Sequence, residues 1–151
     1  MDRRYELRVY LRNVHRKRTF RKMFAISEII RLGPWCMHEL SIALSLLDEV
    51  DAAAAREGVT HVASVRLRVG RLSGIACDAL RFSWDLARAE TVAADAALII
   101  DEVPIALWCA ACDRERAPRD GAGLTCSACG ALAPSIVRGR EIELVAMEVR
   151  A

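Results

Sequence analysis

From Leu40 the apolar residues fall into a helical register. Leu40, Ala43, Leu44, Leu47, Val50 and Ala54 recur at steps of three and four, while Asp48, Glu49 and Asp51 lie off the stripe. The pattern predicts an amphipathic helix that stops at Gly58, where a residue without a Cβ can adopt the left-handed conformation of a helix end. The period then shortens to two. Ser64-Val65-Arg66-Leu67-Arg68-Val69 alternates polar with apolar, as a strand with one buried face does. Gly70 and Gly74 bracket a turn, and Asp78 is a candidate N-cap for a second helix running to Glu90, with Leu80, Trp84 and Ala87 inward. Ala97-Leu98-Ile99-Ile100 reads as a mostly buried strand ending near Pro104. Glu141-Ile142-Glu143-Leu144 alternates again, and a slip of phase at Val145-Ala146 predicts a β-bulge. Residues 1–36 show no sustained period.

Between the last two strands lie Cys109-Ala110-Ala111-Cys112 and Cys126-Ser127-Ala128-Cys129, thirteen residues apart. Two residues between paired thiols let both sulfurs of one turn reach a single ion, and two such turns complete the tetrahedral thiolate shell that Zn²⁺ accepts. The competing reading is a pair of redox C-x-x-C motifs or disulfides. Paired knuckles at this spacing favour zinc. Cysteine fills every position, so no coordination site is left for a catalytic water, and the zinc is expected to be structural. So short a segment, poor in large apolar residues, must draw its folding free energy from the metal. Cys36 and Cys77 have no partner in this pattern.

Together these elements predict an α+β fold. It comprises a small mixed sheet of about three strands with two helices, plus an inserted zinc-ribbon-like module. Three segments follow: a basic extension over 1–36, an αβ domain over 37–103 and 135–151, and the zinc module over 104–134.

Charge sharpens the first boundary. The 151-residue chain has a net charge of +2, but residues 1–36 hold ten Lys and Arg against three Asp and Glu. The remainder holds twelve Arg and no Lys against seventeen acids. The break falls near Pro34–Met37. No window has the length of a membrane span, and the basic leader lacks the uninterrupted apolar stretch of a secretory signal. With no export signal, metal-ligating thiols point to a reducing compartment, and the cytoplasm is the expected location. The net acidic body, and a zinc loop that mixes Arg114, Arg116 and Arg119 with Asp113, Glu115 and Asp120, argue against nucleic-acid binding. No phosphate loop and no nucleophile elbow are present, so an enzyme is not expected.

Met37-His38-Glu39-Leu40-Ser41 ahead of an amphipathic helix, the turn Gly70-Arg71-Leu72-Ser73-Gly74, and the spaced C-x-x-C pairs together resemble the HypA/HybF family of hydrogenase maturation factors. The resemblance runs from Met37 to the C-terminus. It implies a nickel metallochaperone with Ni²⁺ as transferred cargo and Zn²⁺ as a structural ion. It implies that His38 binds nickel through its imidazole, helped by the amino group of Met37 and the backbone nitrogens of His38 and Glu39. It implies that Cys109, Cys112, Cys126 and Cys129 hold the zinc. The implied partners are a HypB-type GTPase and the large subunit of [NiFe]-hydrogenase, with urease maturation proteins in some relatives. Adjacent amine, amide and imidazole donors suit the square-planar preference of Ni²⁺. In the family the methionine of this motif is the first residue, whereas here thirty-six residues precede it. A misassigned translation start is the expectation, and a genuine basic extension, which would deny Met37 a free amine, is the alternative. Out of this context a lone histidine at a helix start is more often a solvated or capping residue. His61 is read as structural.

Overall fold

The computed structural model describes residues 3–10, 36–121 and 123–149. The charge break at Pro34–Met37 lies largely outside the described residues. The first strand, β1 (Arg3–Tyr10), is followed by α1 (Cys36–Glu57), β2 (Val62–Gly70), α2 (Cys77–Ala87) with a short 3-10 turn at Arg88–Glu90, and β3 (Ala97–Val103). Then come β4 (Ala106–Cys109), β5 (Arg114–Arg116), β6 (Ser135–Arg138) and β7 (Ile142–Val149).

The main sheet has the order β1-β7-β2-β3. β2 and β3 are parallel, joined through α2, and the other two pairings are antiparallel, so the sheet is mixed as expected. Three of its strands are those read from the periodicity, and β1 is a fourth. The bulge in β7 is where the phase slipped: Arg66 pairs with Ala146 but Leu67 with Leu144, leaving Val145 extra.

Both helices pack on one face of this sheet. The buried stripe of α1 is broader than the sequence pattern, adding Ile42, Leu46 and Ala53 to the expected positions, while Leu44 is only half-buried. Facing it are Val65, Leu67, Val69, Leu144 and Met147 from the sheet and Leu80 and Trp84 from α2. The Trp84 indole N–H donates to the Ala96 carbonyl at 3.2 Å, which allows the ring to be buried at almost no polar cost. Gly58 ends α1 with φ of +65°. Val59 N–H donates to the Ala54 carbonyl at 2.8 Å, the longer bond of a Schellman stop. The opposite face of the sheet is polar, with Arg66 on Asp101, Arg68 near Glu143 and Ser64 on Glu148.

Two local expectations change. Asp78 does not cap α2: the N-cap is Ala76, and Asp78 lies inside the first turn, fully exposed, paired with Arg81 at 2.9 Å. The helix begins earlier than a cap at Asp78 requires, so its carboxylate sits within the first turn and faces Arg81 instead. β3 is less buried than its apolar run suggested, because it is an edge strand; Leu98 and Ile100 reach the core only partly, while Asp101 and Glu102 are exposed.

The second sheet has the order β5-β4-β6, antiparallel throughout. It extends to Arg138, where β6 pairs with β4. Its two connections to the main sheet, from Val103 to Ala106 and from Arg138 to Ile142, both pack on the end of β2 at Gly70, and a Cβ on Gly139 in the second would lie 3.0 Å from Ile105 Cα in the first. A Cβ on Gly70 would lie 2.1 Å from the carbonyl carbon of Gly139, and Gly139 itself has φ of +105°. Gly70 N–H donates to the Glu141 carbonyl (2.7 Å), Leu72 N–H to the Gly139 carbonyl (2.6 Å) and Arg71 N–H to the Val103 carbonyl (3.1 Å).

Candidate metal centres

Cys109 ends β4, and the chain turns so that Cys112 N–H donates to the Cys109 carbonyl at 3.2 Å. The second knuckle is closed one residue further on, with Gly130 N–H on the Cys126 carbonyl at 2.9 Å. Each knuckle exits through a left-handed residue: Gly130 at φ +73° and Asp113 at φ +52°. Aspartate is among the few side chains that tolerate this region. The knuckles are joined at their bases, where Ser127 N–H donates to the Ala117 carbonyl (3.1 Å) and Arg119 N–H to the Thr125 carbonyl (2.8 Å).

All four sulfurs lie within 4.8 Å of one another. Cys109 and Cys129 are 3.6 Å apart at Sγ, and Cys112 and Cys126 are 3.9 Å apart, and the thiols are free. A tetrahedron with Zn–S bonds of about 2.3 Å spaces its sulfurs about 3.8 Å apart. The cage therefore already has the dimensions of a zinc site, and covalent S–S bonds would need roughly half that separation. Electrostatics agree. Backbone N–H groups of Cys129 and Ala128 aimed at Cys126 lower its pKa to about 6, so this sulfur is a ready thiolate. Crowding by the thiols of Cys129 and Cys109 pushes Cys112 up to about 11, with the guanidinium of Arg116 acting the other way. Four thiols in one cage cannot all ionise without a cation. The Arg116 Nε is buried with no hydrogen-bond partner, a donor beside a cluster that becomes anionic when it takes a metal. This cluster can hold a structural metal such as zinc.

The nickel candidate is built differently. His38 is exposed on the first turn of α1, and Glu39 beside it is buried. Among the described residues the four cysteines are the only group of three or more metal-ligating side chains within reach of one ion. Among the described residues His38 is not part of any such set. His61 is exposed at the start of β2, 3.9 Å from Asp95. Cys77 is half-buried at the start of α2, its thiol pushed up in pKa mainly by burial. A shallow cleft between α2 and β3 is lined by Arg81, Arg88 and Asp95, but its arginines are committed to Asp78, to Asp85 and to backbone carbonyls.

Fold and site thus define a small metal-binding protein with an αβ domain and a four-cysteine ribbon module. Residues 37–149 match the family described as hydrogenase/urease nickel incorporation, metallochaperone, HypA, and the chain belongs to that family. Hydrogenase maturation factor HypA of Roseiflexus sp. is 48% identical over 112 residues, which cover 74% of this chain and 91% of that protein. The factor of the same name from Chloroflexus aggregans is 44% identical, over 74% of this chain and 98% of that one. A solution structure of a HypA protein superposes with a TM-score of 0.60 at 25% identity, over 76% of this chain and 98% of the other. The solution structure of the Ni metallochaperone HypA from Helicobacter pylori, 24% identical with a TM-score of 0.55, shares the fold. No helix among the described residues is long and apolar enough to cross a membrane.

Proposed function

We propose that this chain carries Ni²⁺ to the large subunit of a [NiFe]-hydrogenase, binding it at His38, while Zn²⁺ held by Cys109, Cys112, Cys126 and Cys129 keeps the ribbon module folded. The observation that carries the reading is the contrast between two potential metal positions. Four thiolates form a closed cage with no vacant position, and an exposed imidazole stands apart at a helix start. A carrier must release its cargo, and an exposed site built on few donors allows that where a four-sulfur cage does not. Membership of a nickel-incorporation family supports the choice of metal.

The chain then acts as a binding protein, not a catalyst, and works in the cytoplasm. Nucleotide hydrolysis belongs to a HypB-type GTPase partner, and urease maturation proteins are further recipients. In a chain that begins at Met37 the terminal amine joins the imidazole of His38 and the nitrogens of His38 and Glu39. In a chain that carries β1, position 37 offers only a peptide nitrogen. Intact mass of the native protein distinguishes the two.

His38→Ala is expected to abolish most nickel binding in a competition titration while leaving one zinc per chain. Normal nickel affinity in that variant would overturn the site.

A further inference from the structure

Glu39 follows His38 on the first turn of α1, yet the two side chains go separate ways. The imidazole is exposed, and the carboxylate is 5% exposed. A carboxylate is buried at a cost unless hydrogen bonds replace its water. Here Oε1 accepts the backbone N–H of Ala76 at 3.3 Å, while Oε2 is buried with no partner. Ala76 is the N-cap of α2, and its methyl group accepts nothing, so the helix has no side-chain cap of its own. The Glu39 carboxylate takes the N-cap N–H, the donor that the acid of a capping box satisfies, with its charge near the positive end of the α2 dipole.

A Ser or Asp at position 76 would cap α2 locally, with no buried charge. A carboxylate reaching across from α1 accomplishes something more: it ties the turn that bears His38 to the body of the domain. We infer that Glu39 is the positioning residue of the nickel site, a cap supplied from α1 to α2 that fixes the backbone from which His38 projects. This rests on the His38 reading above. The carboxylate acts through that backbone and does not touch the metal. By linkage, nickel at His38 and the bond from Ala76 bias one another.

The test compares Glu39→Ala and Glu39→Gln in the full zinc-loaded chain, using nickel titration, amide exchange at Ala76 and the ligand-field spectrum of bound Ni²⁺. Glu39→Ala is expected to weaken nickel about tenfold, the loss of one hydrogen bond to a charged group. It should also speed exchange at Ala76 and leave zinc content unchanged. Glu39→Gln keeps an acceptor for Ala76 and restores most of both. The nickel bands keep their positions in each variant. Unchanged affinity in the alanine variant overturns the role, as does a glutamine variant as weak as alanine, or a shifted band that would make Glu39 a ligand. If His38→Ala binds nickel normally, it is the site reading that fails instead.

Discussion

Among the described residues, twenty buried ones, from Leu40 on α1 to Val149 on β7, make the core of the αβ domain, whereas five, two of them cysteines, make that of the ribbon module. Of the large apolar side chains left exposed among the described residues, Trp108, Leu124, Leu132 and Val137 lie in the module and only Leu72 and Phe82 in the domain. One region folds because apolar surface leaves water. The other has too little such surface and needs an ion to tie its turns together. Two kinds of cohesion meet in one chain, and they fail under different treatments.

The largest expected separation comes from removing the metal. Cys126→Ser, or a strong chelator, should cost the module on the order of 10 kcal/mol and abolish amide protection over 106–138, while α1 and β2 stay protected. Acid should act in the same direction, because each thiolate must take up a proton as zinc leaves. Cys126, whose free-thiol pKa is lowered to about 6, gives up its charge later than Cys112, pushed up to about 11, as pH falls. Loss of α1 protection on chelation would show the two regions to be one cooperative unit.

A smaller effect of opposite placement follows from Leu67→Ala. Leu67 is fully buried between the sheet and its helices, and truncation there should destabilise the domain by about 2–5 kcal/mol in denaturant unfolding, with zinc stoichiometry retained. Zinc loss in step with that unfolding would again merge the regions.

The smallest effect concerns Asp51, whose pKa is raised chiefly by burial, against a 3.4 Å hydrogen bond from Val92 N–H that lowers it. A folded-state pKa above the unfolded one means that the ionised carboxylate opposes folding at neutral pH, and that the penalty fades as pH falls through the folded pKa. Asp51→Asn should therefore raise the Tm by about a degree or two at pH 7 and leave it unchanged at pH 3.

Much of this comparison was legible in the order of residues. The helical stripe of α1, the alternation of β2, the slip in β7 and the spacing of the cysteines are periodic or positional signals that survive any tertiary context. What escaped depends on neighbours. β1 carries a short alternation, Tyr5, Leu7 and Val9 between charged residues, that the surrounding run of arginines obscured. The weak burial of β3 follows from its place at the sheet edge, which no local pattern records. Asp78 looked like a cap because its chemistry suits one, but Arg81 holds it and the cap comes from Glu39, distant in sequence. The nickel position was reached from a motif rather than from any gathering of side chains.

The backbone clasp at the end of β2 bears on how the ribbon acquires its ion. Gly70, Arg71 and Leu72 donate to Val103, where the chain leaves the domain, and to Glu141 and Gly139, where it re-enters, and Gly139 lies against Ile105, so the intervening segment is a ring closed at its root before any metal arrives. The entropy of bringing its ends together has already been met by the domain, and that cost grows only with the logarithm of loop length. Zinc then has to gather two turns on a tethered ring instead of collapsing a free chain, so the domain acts as a template for its own appendage.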